Sequence, residues 1–92
     1  MIIEGKIISS QLGEFGKDGI LYGYLGIEDT QGNHLAIKID SYSWYETLEI
    51  GEHVIIEASK LGTTNIIVAR KISLKSNSDL ISHSENVVSA SS

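Results

Sequence analysis

The chain alternates short runs of isoleucine, valine and tyrosine with single glycines, and it contains no proline among its 92 residues. β-Branched and aromatic residues are enriched in strands, and frequent turn residues divide a chain into many short strands. Because no proline interrupts these runs, every backbone N–H within them can take part in a sheet. These features predict an all-β domain.

Five strands are predicted from the alternation of apolar and polar residues. The clearest pair, 20–29 and 34–40, is joined by Asp29-Thr30-Gln31-Gly32, a sequence typical of a type I turn followed by a glycine bulge. In 34–40 every second residue is apolar, which places one face of that strand in a core. The remaining strands are predicted at 2–12, 52–60 and 66–74, the last with Ile66, Val68, Ile72 and Leu74 on one face and Arg70 as the exception.

The segment between the third and fourth strands is predicted to hold a short helical turn. Ser43-Trp44-Tyr45-Glu46 matches the capping box Ser-x-x-Glu, and Gly51 would end the turn. The composition then changes after Lys75, because residues 76–92 hold seven serines and no periodic apolar face. We therefore predict one domain over residues 1–75 and a disordered C-terminal tail over residues 76–92.

Five strands in so short a chain are best closed into a barrel, because closure removes exposed edges and buries one face of each strand. The glycine-bearing first strand, the hairpin turn at 29–33 and the segment 48–54 (LEIGEHV) resemble OB-fold proteins. The resemblance covers residues 1–75 as a strand pattern, and TRAM-like, translation-factor-like and SH3-like barrels fit the same pattern. It implies a five-stranded OB-like β-barrel whose second and third strands bind oligonucleotides.

The aromatic residues indicate a ligand-binding face. If Leu21, Leu25 and Ile27 face the core, alternation places Tyr22 and Tyr24 on the outer face of the second strand. On an OB-like barrel this face stacks bases on aromatic rings and neutralises phosphates with basic side chains. The residues predicted to bind nucleic acid are Tyr22, Tyr24, Lys38, Trp44, Lys60, Arg70 and Lys71.

Charge and residue types limit the other functions. The formal net charge of −5 argues against a broadly basic surface, so nucleic-acid binding would need a local patch. The chain has no cysteine, which excludes thiolate zinc sites and favours a cytoplasmic protein. Its three histidines lack metal-binding spacing, and no nucleophile, base and orienting group come together. We predict a protein that is not an enzyme, with no cofactor, metal or membrane segment.

Two functions fit these observations. The first is binding of single-stranded DNA or RNA, which the placement of tyrosines on the second strand favours. The alternative is a protein-interaction module or small homo-oligomeric accessory subunit, because tyrosine and tryptophan are also common anchors of protein interfaces. The acidic balance favours this alternative. A purely structural role also fits the rings, since tyrosine suits half-buried strands and Trp44 would cover the barrel's open end.

Overall fold

The computed structural model describes residues 1–76, which form an all-β fold with a closed barrel of five strands. The six strands of this range are β1 (Ile2–Phe15), β2 (Ile20–Asp29), β3 (His34–Ile39), β4 (Trp44–Tyr45), β5 (His53–Lys60) and β6 (Ile67–Leu74). β1 pairs antiparallel with both β2 and β5, and the β2–β3 and β5–β6 pairs are also antiparallel. Parallel pairing of β3 with β6, at Ile37–Ile67 and Lys38–Val68, closes the barrel. The predicted barrel is confirmed; the predicted tail lies outside the described residues apart from Ser76.

The core of the barrel consists of branched aliphatic side chains and alanine. Their stiff side chains pack well against a pleated surface, which is why isoleucine dominates both the strands and the core. The core face predicted for β3 is confirmed, and alternate residues of β5 are likewise buried. The core cluster is formed by Ile3, Ile7, Leu25, Ile27, Ile37, Ile39, Val54, Ile56, Ala58, Ala69 and Ile72.

A β-bulge in β1 reverses the phase of that strand halfway along its length. Ile7 pairs with Ile27 and Ser9 with Gly26, so Ile8 is an extra residue without a partner in β2. Such an insertion changes which residues face the core. Before the bulge, Ile7 is buried, and after it Leu12 packs against the core instead.

A second bulge explains why Arg70 does not fit the pattern of β6. Glu57 pairs with Lys71 and Ala58 with Ala69, which leaves Arg70 as the extra residue. The core face of β6 therefore contains Ala69 and Ile72. The burial predicted for Val68 and Ile72 is confirmed, since both are fully buried. Their common phase is wrong, because the bulge shifts the alternation by one residue and leaves Val68 outside the core cluster.

The turn between β2 and β3 has the predicted form. The Gly32 N–H donates to the Asp29 carbonyl over 3.0 Å, and Gly32 has a φ of +83°. The Asp29 carboxylate accepts backbone N–H bonds from Asn33 and Gln31, at 2.8 and 2.9 Å. The bond from the Asn33 N–H, followed by that from Gln31, lowers the pKa of Asp29 because both favour the charged carboxylate. This local network fixes the register of the hairpin.

The predicted helical turn at Ser43 does not form. The Ser43 hydroxyl oxygen accepts the Asp40 N–H over 3.0 Å, and the same hydroxyl donates to the Ala69 carbonyl over 2.6 Å. A capping serine would instead accept an N–H from inside its own helix. The chain then continues as β4, which pairs parallel with β6, and the Glu46 N–H donates to the Ile72 carbonyl over 2.9 Å. β3 and β4 thus follow one another along the same edge of β6.

β1 and β2 extend beyond the barrel as a two-stranded arm. The β1–β2 pairing continues to Phe15 and Ile20, whereas pairing of β2 with β3 stops at Gly23 and that of β1 with β5 stops at Lys6. The loop that joins β1 to β2 therefore spans only residues 16–19. In this arm β1 and β2 pair only with each other among the described residues.

Candidate functional site

A groove of about 710 Å³ lies on the outer face of the sheet where β1, β2 and β3 run side by side. The strand register builds it, because Tyr24 pairs with Gln11 on one side and with Lys38 on the other. Side chains directly opposite each other on one face have Cβ atoms about 5 Å apart, so these three groups share one space. The groove is lined by Gln11, Gly13, Tyr22, Gly23, Tyr24 and Lys38.

Alternation along β2 places two tyrosines in this groove. Leu25 and Ile27 are fully buried on the inner face, while Tyr24 is 41% exposed and Tyr22 is half-buried. Residues two apart on a strand lie about 7 Å apart on the same face. Gly13 pairs with Tyr22, so no side chain from β1 covers that ring from across the strand pair. The result is an open groove with two aromatic rings in its wall.

Lys38 supplies the positive charge of the groove. It is half-buried and, within residues 1–76, makes no ion pair with a carboxylate. It is also the one basic residue among those that line the groove in the described part of the chain. An ammonium group beside two tyrosine rings can attract the anionic group of a ligand whose flat part stacks on those rings.

Trp44 and Lys71 form a separate contact on the outer surface. The Lys71 Nζ atom lies 5.6 Å from the centroid of the Trp44 ring, within the range of a cation–π interaction. The parallel pairing of β4 with β6 places these residues opposite each other, and Glu57 pairs with Lys71 on the other side. Neither Trp44 nor Lys71 lines the groove.

The other two predicted basic residues also lie away from the groove. Arg70 Nη1 is 3.5 Å from an Asp40 carboxylate oxygen, and Arg70 Nε donates to the Ser59 hydroxyl over 3.3 Å. Its charge is therefore partly compensated within the protein. Lys60 is exposed at the end of β5. Of the seven predicted site residues, the groove brings together Tyr22, Tyr24 and Lys38.

Comparison of the chain with protein-family models, with curated proteins and with solved structures finds no match. In residues 1–76, no helix has the length and apolar character needed to cross a membrane. The same part of the chain contains no group of three or more histidine or acidic residues arranged to hold a metal ion. The groove is therefore the feature from which a function can be argued.

Gln11 and Gly13 line the groove but are not among the site residues predicted from the sequence. With uninterrupted alternation from Ile3 and Ile7, Gln11 would face the core. The bulge at Ile8 turns it outward and turns Leu12 inward. One signal was present in the sequence: Leu12 is out of phase with Ile3 and Ile7, and the phase changes at the adjacent apolar residues Ile7 and Ile8, as expected for a bulge.

A second, smaller concavity of about 280 Å³ has a different character. Its charged lining residues are of both signs, and Lys75 contacts Glu4 there over 2.6 Å. Glu28, which also lines it, contacts His34 over 3.0 Å. Because two of its carboxylates are already paired and no tyrosine, tryptophan or phenylalanine lines it, it offers less to a stacking ligand than the groove.

Proposed function

We propose that this protein binds single-stranded nucleic acid in the groove formed by β1, β2 and β3. The observation that carries the proposal is the row in which Tyr22 and Tyr24 share one face, with Lys38 directly across from Tyr24. Stacking of a base on an aromatic side chain contributes about 1–3 kcal/mol and tolerates every base. A lysine beside the rings supplies a partner for the phosphate backbone.

The spacing of the rings supports an extended ligand. Tyr22 and Tyr24 are two strand positions apart, about 7 Å, which is twice the rise of about 3.4 Å between stacked bases of one strand. Two successive bases can each lie on a ring only if they are separated from one another. Paired bases in a duplex cannot separate in this way without unstacking, so the groove favours a single strand.

We further propose that the barrel is of the OB type. Five closed strands, a first strand shared between two neighbours, and a groove on the outer face of the second and third strands support this assignment. The two proposals are independent, because one fold can host many functions. Loss of the first would leave the barrel assignment unchanged.

Substitution of Tyr24→Ala tests the proposed function. A labelled thymidine octamer titrated with the protein should bind the native chain, and the variant should bind about 5- to 150-fold more weakly, because one stacking contact is lost. Fluorescence anisotropy at low salt measures both affinities. Tyr42→Ala is the matched control, since Tyr42 is 81% exposed and does not line the groove. Absence of binding by the native chain, or equal losses in both variants, would contradict the proposal.

A second candidate function is protein interaction through the segment around β4. Tyr42, Trp44 and Tyr45 are all exposed within four consecutive positions, at 81%, 54% and 38%. Exposed tyrosine and tryptophan side chains are frequent anchors at interfaces. Sedimentation of the native chain as a dimer, with dissociation in a Trp44→Ala variant and no response to oligonucleotides, would favour this function over the first.

A further inference from the structure

Gln11 lies at the β1 side of the groove, opposite Lys38. The register Gln11–Tyr24–Lys38 crosses three neighbouring strands, with the tyrosine in the middle. Neighbouring strands are about 4.8 Å apart, so the backbones carrying the amide and the ammonium group are about 10 Å apart. A nucleotide whose base lies on the Tyr24 ring, with its phosphate toward Lys38, therefore directs the far edge of that base toward Gln11.

The Gln11 side chain is available for such a contact. It is exposed and, within residues 1–76, its amide makes no hydrogen bond with the protein. A glutamine amide carries a donor and an acceptor side by side. The pairing edge of each nucleobase likewise carries a donor next to an acceptor, and these groups are free only when the base is unpaired.

We propose that Gln11 hydrogen-bonds the pairing edge of the base stacked on Tyr24 and thereby selects unpaired bases. This inference rests on the proposed nucleic-acid function and adds a specificity-determining residue to it. The phosphates of the ligand run along the β3 side of the groove, and the base edges point to β1. In a duplex the same edges are already hydrogen-bonded, so the amide has no partner there.

The residue of β1 that pairs with Tyr22 limits the proposed hydrogen bonding to one base. Gly13 occupies it, and a glycine has no side chain with which to contact a base edge. The base on Tyr22 is therefore stacked without being hydrogen-bonded by β1. The groove thus stacks two bases and hydrogen-bonds the edge of only one of them, the base next to Gln11.

Gln11→Met provides the test, because methionine keeps the length of the side chain and removes the amide. Binding of a labelled thymidine octamer is measured by anisotropy, with Gln31→Met as the matched control, since Gln31 is an exposed glutamine in the β2–β3 turn. We expect Gln11→Met to weaken binding three- to tenfold, as loss of one hydrogen bond does, and Gln31→Met to change it less than twofold. The salt dependence of binding should stay the same in Gln11→Met, because no charge is removed.

The outcomes separate the two proposals. If the native chain binds the octamer and Gln11→Met binds it equally well, the role of Gln11 is wrong and the proposed function stands. If the native chain does not bind, both are wrong. A ¹H–¹⁵N spectrum checks that each variant is folded. Should Gln11→Met fail to fold, Gln11→Glu replaces it, and its carboxylate, which cannot donate and repels phosphate, should weaken binding more than tenfold.

Discussion

Gly23 lies between the two tyrosines of the groove, and its lack of a side chain allows the backbones of β1 and β2 to approach closely there. Its φ of +145° is in a region that residues with a side chain rarely adopt. A Cβ atom at this position would collide with the Gln11 carbonyl oxygen and would lie 2.9 Å from the Leu12 Cα atom. The close approach of these two backbones brings Gln11 beside Tyr24, so the geometry of the groove depends on a glycine.

Gly23→Ala should lower the free energy of unfolding by about 3 kcal/mol, because it adds both backbone strain and a collision with the neighbouring strand. Urea unfolding followed by the fluorescence of Trp44, the only tryptophan, measures the loss. Gly32→Ala is the control: Gly32 also has a positive φ, of +83°, but a Cβ atom there meets no neighbour within 4 Å. It should cost about 1 kcal/mol. Equal losses in the two variants would show that the collision is relieved without cost.

At the level of elements, β4 depends on contacts that lie far from it in the sequence. The Ser43 hydroxyl joins the turn after β3 to the Ala69 carbonyl of β6, and the Asp40 carboxylate accepts the Tyr42 N–H over 2.9 Å. These bonds position the chain so that β4 can pair with β6. The short strand therefore exists because a turn is anchored to the barrel before it begins.

Ser43→Ala should detach β4 from β6 more often and lower the free energy of unfolding by about 1–2 kcal/mol, since it leaves the Ala69 carbonyl without its partner. Trp44 fluorescence should shift to longer wavelength at the same time, because the ring becomes more hydrated. Ser41→Ala serves as the control, since Ser41 is exposed in the same turn. An unchanged spectrum in Ser43→Ala would contradict the anchoring role.

The elements also show what a sequence can predict for this fold. The β2–β3 hairpin follows from Asp29 and Gly32 because all of its bonds are local. The helical turn predicted from the Ser43 capping box was wrong because the Ser43 hydroxyl instead donates to the Ala69 carbonyl, which is 26 positions away in the chain. The bulges at Ile8 and Arg70 are set by pairing between strands, so a single strand's alternation could place Tyr24 in the groove but not Gln11.

For the whole molecule, charge decides what kind of binding the groove can support. The chain carries a formal net charge of −5, and Arg70 and Lys71 already interact with Asp40 and Trp44 within the protein. Attraction over long distances to a polyanion is therefore weak. We therefore expect the proposed nucleic-acid binding to depend on contacts inside the groove, mainly on stacking and less on the single lysine.

The salt dependence of binding tests how many basic side chains contact phosphate. If Lys38 alone contacts phosphate, the slope of log K against log salt concentration should be about −0.7, whereas a patch of Lys38, Lys60, Arg70 and Lys71 would give about −2.8. Anisotropy titrations at several salt concentrations measure the slope. Lys38→Met should bring it close to zero, and Lys6→Met, at the smaller concavity, should leave it unchanged. A slope near −2.8 would mean that the other three cations also bind.

The parallel pairing of β3 with β6 is the place where the barrel closes. Two residue pairs hold the barrel closed there, and Lys38 belongs to one of them. Lys38 is also the last residue of the row Gln11–Tyr24–Lys38 that crosses the groove. Separation of β3 from β6 would leave the β2–β3 pairing in place, so Lys38 would remain across from Tyr24. All residues that line the groove belong to β1, β2 and β3, so the barrel can open between β3 and β6 without dismantling the groove.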